Sequence, residues 1–244
     1  MLARISEALG RRAGPATAPE PLPPFPARAV ALDAGERSAQ FMSELEKVGG
    51  RATRLDTEGE VKESLTGLLP ADLDAPVALS DGRELRRLKL RAWLSGAGRK
   101  VVPSLKEFLA ESSSAGSRGA AEAEVAALVE RYRGLLLEAE VGITTADYAL
   151  ADTGTLVLVS GDEQHRLISL LPPAHVCLLD PARILPSLAD LLARLRGIFS
   201  PPESALRNMT CITGPSRTAD IEQAITTGVH GPKSLHVILH SPAS

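Results

Sequence analysis

Three polar segments of the sequence carry residue types from which a small-molecule site could be built. The first contains Thr144 and Asp147 and ends in Asp152, Thr153 and Gly154, just before an apolar run. A carboxylate in such a position can order a pocket or take a proton. In open α/β sheets, ligands bind where strands end. We therefore expect Asp147 and Asp152 to be the catalytic candidates of a cleft at the carboxyl ends of strands.

The second segment, residues 160–166, ends in Arg166 and holds the acidic side chains of Asp162 and Glu163. The planar guanidinium of arginine can hold a carboxylate or phosphate with two parallel hydrogen bonds. Arg166 is therefore a candidate ligand for an anion. The alternative is an ordinary hairpin or loop, because the segment is rich in turn-forming residues.

The third segment, residues 213–222, reads as a strand that feeds a Gly-Pro turn and then the start of a helix. The N–H groups and positive dipole at a helix start favour an anion. The ligand-binding candidates here are Gly214, Ser216, Arg217, Thr218, Asp220 and Glu222. Acidic residues in a first helical turn are also a common stabilising pattern, which is the alternative for Asp220 and Glu222.

Capping and turn formation offer structural alternatives for other candidates. Thr144 and Asp147 have the spacing of a capping box, which satisfies unpaired N–H groups at a helix start. His230 and Gly231 form a turn-like sequence before the last strand, in which the histidine is a ligand, a base or only part of the turn.

Pairs of possible metal ligands also occur, without a third member. His236 and His240 share one strand face, and so do His175 and Cys177. Zinc needs at least three protein ligands. We therefore predict no metal site in this chain.

Alternating helical and strand patterns surround these segments. A helix carrying Phe41 and Leu45 is expected to end at Gly49-Gly50. Further helices are predicted over residues 58–69, 83–94, 121–138, 183–196 and 219–227, with a short one near 145–151. Strands are predicted over residues 51–55, 76–80, 101–102, 155–160, 166–171, 176–179, 209–213 and 235–239. This alternation predicts an α/β fold with a mainly parallel sheet and helices on both faces.

The first part of the chain differs in composition from the rest. Residues 1–12 form an amphipathic, basic stretch, and residues 14–28 contain six prolines. Proline fixes φ and removes a donor, which favours an extended connector. We therefore divide the chain into an N-terminal helix and proline-rich arm, residues 1–28, and a single α/β domain, residues 29–244.

Composition excludes several function classes. The net charge of −3 and the aromatic content of 3% give no basic patch or stacking platform for nucleic acid. The sequence contains no apolar run of the roughly 18 residues that a membrane span needs, and the N-terminus lacks the apolar core of a secretory signal, so a cytoplasmic location is expected. Cys177 and Cys211 form no C-x-x-C pair, which argues against an iron–sulfur cluster in this chain.

Several of these residues lie in runs that resemble a known family. The runs are GITTADYALADTGTLVL (142–158), SLLPPAHVCLL (169–179) and TGPSRTADIEQAITTGVHGPKSLHVIL (213–239). They resemble the lactate-utilisation LUD-domain family, and within it the LutC/YkgG-type subunit. The resemblance covers about residues 120–240, and its most specific part is the G-P-S-R-T-A-D-I-E run.

The resemblance implies a fold of the NagB/RpiA/CoA-transferase-like group and a part in oxidising L-lactate to pyruvate. It also implies cysteine-rich partner proteins that carry iron–sulfur clusters, so that this chain would be the cluster-free subunit with no cofactor of its own. The motif positions that carry over are Thr144, Asp147, Asp152, Thr153, Gly154, Arg166, Gly214, Ser216, Arg217, Thr218, Asp220, Glu222, His230 and Gly231. One position departs from the family, in which Asp152 is more usually a glutamate. The implied ligand is a small anion, with Arg166 and Arg217 as carboxylate partners.

Two other functions remain open. One is a stand-alone small-molecule enzyme of the CoA-transferase or sugar-phosphate isomerase fold group, for which Glu163 is the nearest candidate nucleophile. The other is a non-catalytic assembly module whose N-terminal arm docks on a partner.

Overall fold

The computed structural model describes residues 32–113, 122–160, 165–195, 208–219, 225–227 and 231–241. The helices in chain order are α1 (Ala34–Lys47), α2 (Glu58–Leu68), α3 (Arg83–Arg87), α4 (Leu90–Gly96), α5 (Leu105–Ser113), α6 (Glu122–Leu137) and α7 (Leu188–Leu195). The strands are β1 (Arg51–Leu55), β2 (Val77–Leu79), β3 (Val141–Thr145), β4 (Tyr148–Leu150), β5 (Thr155–Ser160), β6 (Ala174–Leu179), β7 (Ile184–Leu185), β8 (Asn208–Ile212), β9 (Arg217–Ala219), β10 (Ile225–Thr227) and β11 (Ser234–His240). Short 3-10 helices occupy Arg166–Ser169 and Pro181–Arg183.

Five strands form an all-parallel sheet in the order β1-β11-β6-β3-β2. The central strands β6 and β11 are almost wholly buried, which agrees with their mainly apolar sequences. The predicted α/β class with a parallel sheet is confirmed.

A second sheet, in the order β7-β4-β5-β8, is mixed. β4 pairs in parallel with β7 and antiparallel with β5, and β5 pairs antiparallel with β8. β9 and β10 form a separate antiparallel pair. The sequence patterns did not indicate a second sheet, because short apolar strands look alike whichever sheet they join.

The parallel sheet is covered on both faces. One face packs against α2, α3 and α4 through side chains such as Leu65, Leu85 and Leu94. The other face packs partly against α5 and α6 and partly against α1 and the second sheet. The outer face of the second sheet is covered in turn by Leu191 and Leu195 of α7. Helices therefore lie on both faces of the parallel sheet as predicted, but one of these faces is covered in part by the second sheet.

Four local predictions were wrong. Residues 145–151 contain β4 rather than a helix, and residues 166–169 form a 3-10 helix rather than a strand. At the described ends of the helix predicted over 219–227, Ala219 closes β9 and residues Ile225–Thr227 form β10, whose β-branched side chains suit a strand. The helix predicted over 83–94 is divided by Lys89, which has a φ of 51° and separates α3 from α4.

Most other predicted elements agree within a few residues. β1 and β5 have the predicted bounds, and α6 and β11 differ from prediction by at most one residue at each end. The predicted helix over 183–196 begins later, because Ile184 and Leu185 pair as β7. The arm at residues 1–28 lies outside the described residues. Within the described ranges, no helix combines the length and apolarity needed to cross a bilayer.

Candidate functional site

The C-terminal end of α1 is the point where two of the predicted polar segments meet. The N–H of Gly50 donates to the Leu45 carbonyl at 3.0 Å, and the N–H of Gly49 donates to the Glu46 carbonyl at 2.9 Å. Gly49 has a φ of 86°, which only glycine adopts at little cost. The Gly-Gly pair therefore ends α1 as predicted and turns the chain directly into β1.

Two further glycines pack their backbones against this helix end. Gly154 has a φ of 62°, and a Cβ there would lie 2.7 Å from the Cα of Leu45. Gly214 has a φ of 83°, and a Cβ there would lie 2.8 Å from the Val48 carbonyl oxygen. Any other residue at either position would force the backbones apart. The first and third polar segments are therefore held against the same turn of one helix.

A chain of three hydroxyl groups links the two segments. The Oγ1 of Thr155 lies 2.7 Å from the Oγ1 of Thr153 and 2.7 Å from the Oγ1 of Thr213. Thr155 is buried, whereas Thr153 and Thr213 are exposed. The hydroxyl chain therefore has a buried residue at its centre and an exposed residue at each end.

Arg217 places its guanidinium over Gly49. A Cβ on Gly49 would lie 3.2 Å from the Arg217 Cζ, so the missing side chain makes room for the arginine. A cation is stabilised at the negative C-terminal end of a helix. Arg217 is nevertheless exposed, and its five N–H donors exceed what a helix end can use. The remaining donors can bind a carboxylate.

Ser216 fastens the loop that carries Arg217. Its N–H donates to the Pro232 carbonyl at 2.9 Å. Gly231 faces Ser216, and a Cβ there would lie 3.3 Å from the Ser216 Cβ. We define the helix-end site by the residues that meet here, Thr153, Gly154, Thr155, Thr213, Gly214, Ser216 and Arg217.

The helix-end site lies at the amino edge of the parallel sheet, not at the carboxyl ends of its strands as predicted. Gly49 immediately precedes β1, and Gly231 and Pro232 immediately precede β11. Residues 213–217 follow β8, which belongs to the second sheet. Residues 213–217 were expected at the carboxyl edge because β8 was taken as a strand of the parallel sheet, whereas it pairs with β5 in the second sheet. The position of the binding pocket itself stays a prediction.

The predicted helix start after Arg217 is absent from the described residues, since β9 begins at Arg217 itself. The argument for an anion at a helix N-terminus therefore does not hold here. Thr218 lies on β9, and Asp220, Glu222 and His230 lie outside the described residues.

Asp152 and Asp147 lie at opposite ends of β4. Asp152 is half-buried in the turn beside Thr153, and its N–H donates to the Pro186 carbonyl at 3.2 Å. Asp147 lies at the carboxyl edge, just after β3. The structure therefore places only Asp152 next to the helix-end site.

The Asp147 carboxylate holds β5. Its Oδ2 accepts the Val159 N–H at 2.7 Å. Burial raises the pKa of Asp147, while the Val159 hydrogen bond and the positive charge of Arg183 act in the opposite direction. Asp147 caps no helix, because β4 follows it.

Thr144 lies wholly inside the protein. It is buried in β3, where its Oγ1 lies 2.8 Å from the Nε2 of His175 on β6. The predicted capping box at Thr144 is therefore wrong, for the same reason as at Asp147.

Arg166 is exposed on the first 3-10 helix. This helix packs on β3, where a Cβ on Gly142 would lie 3.1 Å from the carbonyl carbon of Ile168. Arg217 instead packs against Gly49 at the end of α1, so the two arginines that were expected to share a ligand lie on different elements.

His240 takes part in an ionic cluster rather than pairing with His236. Its Nδ1 lies 3.1 Å from the Leu55 carbonyl oxygen and its Nε2 lies 3.2 Å from Nη2 of Arg87. Arg87 also pairs with Glu84 at 2.7 Å and with Glu58 at 2.6 Å. This cluster ties the last strand to α2 and α3. No group of three or more potential metal ligands occurs in the part of the chain that the structure describes.

Sequence reasoning missed Thr155 and Thr213, and read Gly49 only as a helix terminator. Thr155 begins an apolar strand and Thr213 follows another. Only the pairing of β5 with β8 brings their hydroxyls together, and periodicity within one segment carries no signal for it.

Comparisons with known proteins identify relatives. The family model described as the LUD domain matches residues 38–240. Lactate utilization protein C of Halalkalibacterium halodurans is 38% identical over 95 residues, which are 39% of this chain and 41% of that protein. Lactate utilization protein C of Bacillus subtilis is 36% identical over 104 residues, 43% of each chain. The Escherichia coli protein named Uncharacterized protein YkgG is 39% identical over 103 residues, 42% of this chain and 45% of that one.

These matches span less than half the length of the curated relatives. Among solved structures, a DUF162 family protein from Deinococcus radiodurans superposes with a TM-score of 0.53 at 18% identity, covering 86% of this chain and 99% of that one. At this identity the likeness concerns the fold.

Proposed function

The chain belongs to the LUD domain family, and we propose that it is the cluster-free subunit of a complex that oxidises L-lactate to pyruvate. The observation that carries the proposal is the identity of 36–38% to proteins named Lactate utilization protein C. The electrons would pass to cysteine-rich partner proteins with iron–sulfur clusters. Consistent with that division of labour, the sequence has two cysteines, the buried Cys177 and the exposed Cys211, whereas an iron–sulfur cluster is usually held by four cysteine thiolates.

The helix-end site is our candidate for the binding of the monoanion. Lactate and pyruvate each carry one carboxylate, which suits the exposed guanidinium of Arg217. The hydroxyls of Thr153 and Thr213 lie on the same helix end and can bond the second oxygen-bearing group of either molecule. Asp152, beside Thr153, is the candidate proton acceptor.

The same proposal includes the fold group, the domain boundaries and the cellular location. The two sheets and their helical cover are compatible with a fold of the NagB/RpiA/CoA-transferase-like group. We propose a single domain over residues 29–244 and a cytoplasmic location.

The test is L-lactate-dependent dye reduction in extracts of the host, with and without this chain. Deletion should abolish the reduction, and the purified protein should restore it. Undiminished activity after deletion would contradict the proposal.

Arg217→Ala tests the site itself. We expect it to abolish the restored activity, because the carboxylate loses its partner, while the cooperative thermal transition is retained. Arg217→Lys keeps the charge but not the planar fork, so it should lower activity at least about tenfold. Arg54→Ala, a matched change on exposed β1, should restore activity like the wild type. Full activity of Arg217→Ala would remove this residue from the site.

A further inference from the structure

We propose that Thr155 is the positioning residue of the helix-end site, because its hydroxyl couples the turn at residues 152–154 to the loop at residues 213–217. Thr155 is 6% exposed, so solvent does not compete for its two hydroxyl contacts. The proposal relies on the proposed function only for the identity of the bound anion.

The contact between Thr155 and Thr213 extends the backbone pairing of β5 with β8 by one further pair of residues. β5 and β8 pair from Ser160 and Asn208 to Leu156 and Ile212. The next pair of residues, Thr155 and Thr213, is joined through side chains at 2.7 Å. The loop that carries Arg217 therefore leaves the second sheet at the point where the Thr155 hydroxyl holds it.

The same contact controls where Arg217 lies. Gly214 and Arg217 pack on the two residues that directly follow α1, Val48 and Gly49. The van der Waals contact of Gly214 with Val48 fixes the distance between the loop and the helix end, but it leaves the loop free to rotate about that contact. A directional hydrogen bond at Thr213 supplies that second constraint.

The number of O–H donors limits which hydroxyl donates and which accepts in this chain of three. Three hydroxyls have three O–H donors, and the two contacts among them use two. The unused donor costs least at an exposed end, Thr153 or Thr213, because a buried unpaired donor is penalised. An anion beside Arg217 would accept from Thr213, which would then accept from Thr155. Hydrogen bonds aligned in this way strengthen one another.

The first experiment measures loop position without any ligand. Thr155→Val removes the hydroxyl with little change in shape, and Thr155→Ser keeps the hydroxyl. Thr210→Val on β8 makes the same chemical change outside the site. The probe is amide hydrogen exchange at Ser216, whose N–H is bonded to the Pro232 carbonyl.

We expect exchange at Ser216 to become at least about tenfold faster in Thr155→Val, and to stay within about threefold of wild type in Thr155→Ser and Thr210→Val. Unchanged exchange at Ser216 in folded Thr155→Val would overturn the proposal. If Thr155→Val does not fold, Thr213→Val removes the same contact from its exposed end and is judged by the same criterion.

The second experiment measures L-lactate-dependent dye reduction with the same variants. Thr155→Val should raise the KM for L-lactate at least about tenfold with a smaller change in kcat. Thr155→Ser keeps the hydroxyl, so its KM should stay close to that of the wild type. A wild-type KM in Thr155→Val would overturn the positioning role in this reaction. If the wild-type protein restores no activity while Thr155→Val still loosens Ser216, the proposed function fails and the positioning role stands.

Discussion

At the scale of single residues, His175 is a buried titratable group of the parallel sheet. It is 1% exposed, its Nε2 contacts Thr144, and its Nδ1 has no hydrogen-bond partner among the described residues. Burial lowers the pKa of His175 to about 4, because the charged ring would lose its hydration. His175 is therefore neutral in the native protein at physiological pH.

This buried histidine predicts loss of stability in acid. The unfolded chain binds a proton at His175 near pH 6.5, whereas the folded protein does so only near pH 4. Between these values the unfolded state holds more protons, so the free energy of unfolding falls as pH falls, by up to about 3 kcal/mol. Above about pH 7.5 the unfolded residue is also deprotonated, so it contributes no pH dependence there.

Urea unfolding at pH 7, 6, 5 and 4.5 measures this effect. Carboxylates add their own slope in acid, so the quantity to compare is the difference between wild type and His175→Asn, which has no titrating ring. We expect the variant to have the shallower pH dependence between pH 6.5 and 4.5. Equal slopes would contradict the prediction, because they would mean that His175 has the same pKa in the folded and unfolded states.

At the scale of elements, the end of α1 organises the site through glycines rather than through polar side chains. Gly49, Gly154 and Gly214 all have positive φ and meet at the last turn of this helix and the residues that follow it. The helix therefore serves as a platform on which two separate segments of chain are placed.

Gly154→Ala should be strongly destabilising. The substitution combines a positive φ with a Cβ that collides with the backbone of Leu45, so we expect a loss of at least about 2 kcal/mol in the free energy of unfolding. Gly67→Ala is the matched control, because a Cβ at this position in α2 meets nothing within 4 Å. It should leave stability unchanged or raise it by up to about 1 kcal/mol. Chemical denaturation measures both variants, and equal effects would contradict the packing of Gly154 on α1.

At the scale of the whole molecule, the two sheets share one core. Leu156 and Leu158 of β5 pack with Leu179 of β6 and Val237 of β11 in the cluster that also holds Phe41 of α1. Separation of the two sheets would expose these apolar side chains to water. The parallel sheet and the second sheet should therefore unfold together.

Leu156→Ala tests this cooperativity. The side chain is fully buried, so its truncation should cost about 2–5 kcal/mol. Trp93 packs on the opposite face of the parallel sheet and reports from a distance. Its fluorescence midpoint in urea should shift by the same amount as the far-ultraviolet circular dichroism midpoint. A shift in circular dichroism alone would show that the second sheet unfolds separately.

The sequence by itself determined the elements whose signals are local. The apolar run of β5, the Gly-Gly ending of α1 and the helical stripe of α6 each depend on residues a few positions apart, and all three are confirmed. The G-P-S-R-T-A-D-I-E run carried the resemblance to the LUD-domain family, and the family model that matches residues 38–240 confirms that family. The helix predicted over residues 219–227 is wrong at the described residues of that range, Ala219 and Ile225–Thr227. The mixture of apolar and polar residues there suits either a helix or a strand when no pairing partner is known.

Only the tertiary structure decided which segments meet and at which edge of the sheet. Strand β8 looks like any buried strand, and its pairing with β5 rather than with the parallel sheet moves residues 213–217 to the amino edge. The same pairing brings the Thr155 and Thr213 hydroxyls within 2.7 Å across 58 residues of chain. Such contacts depend on the free energy of packing the whole core, which no local pattern of residues encodes.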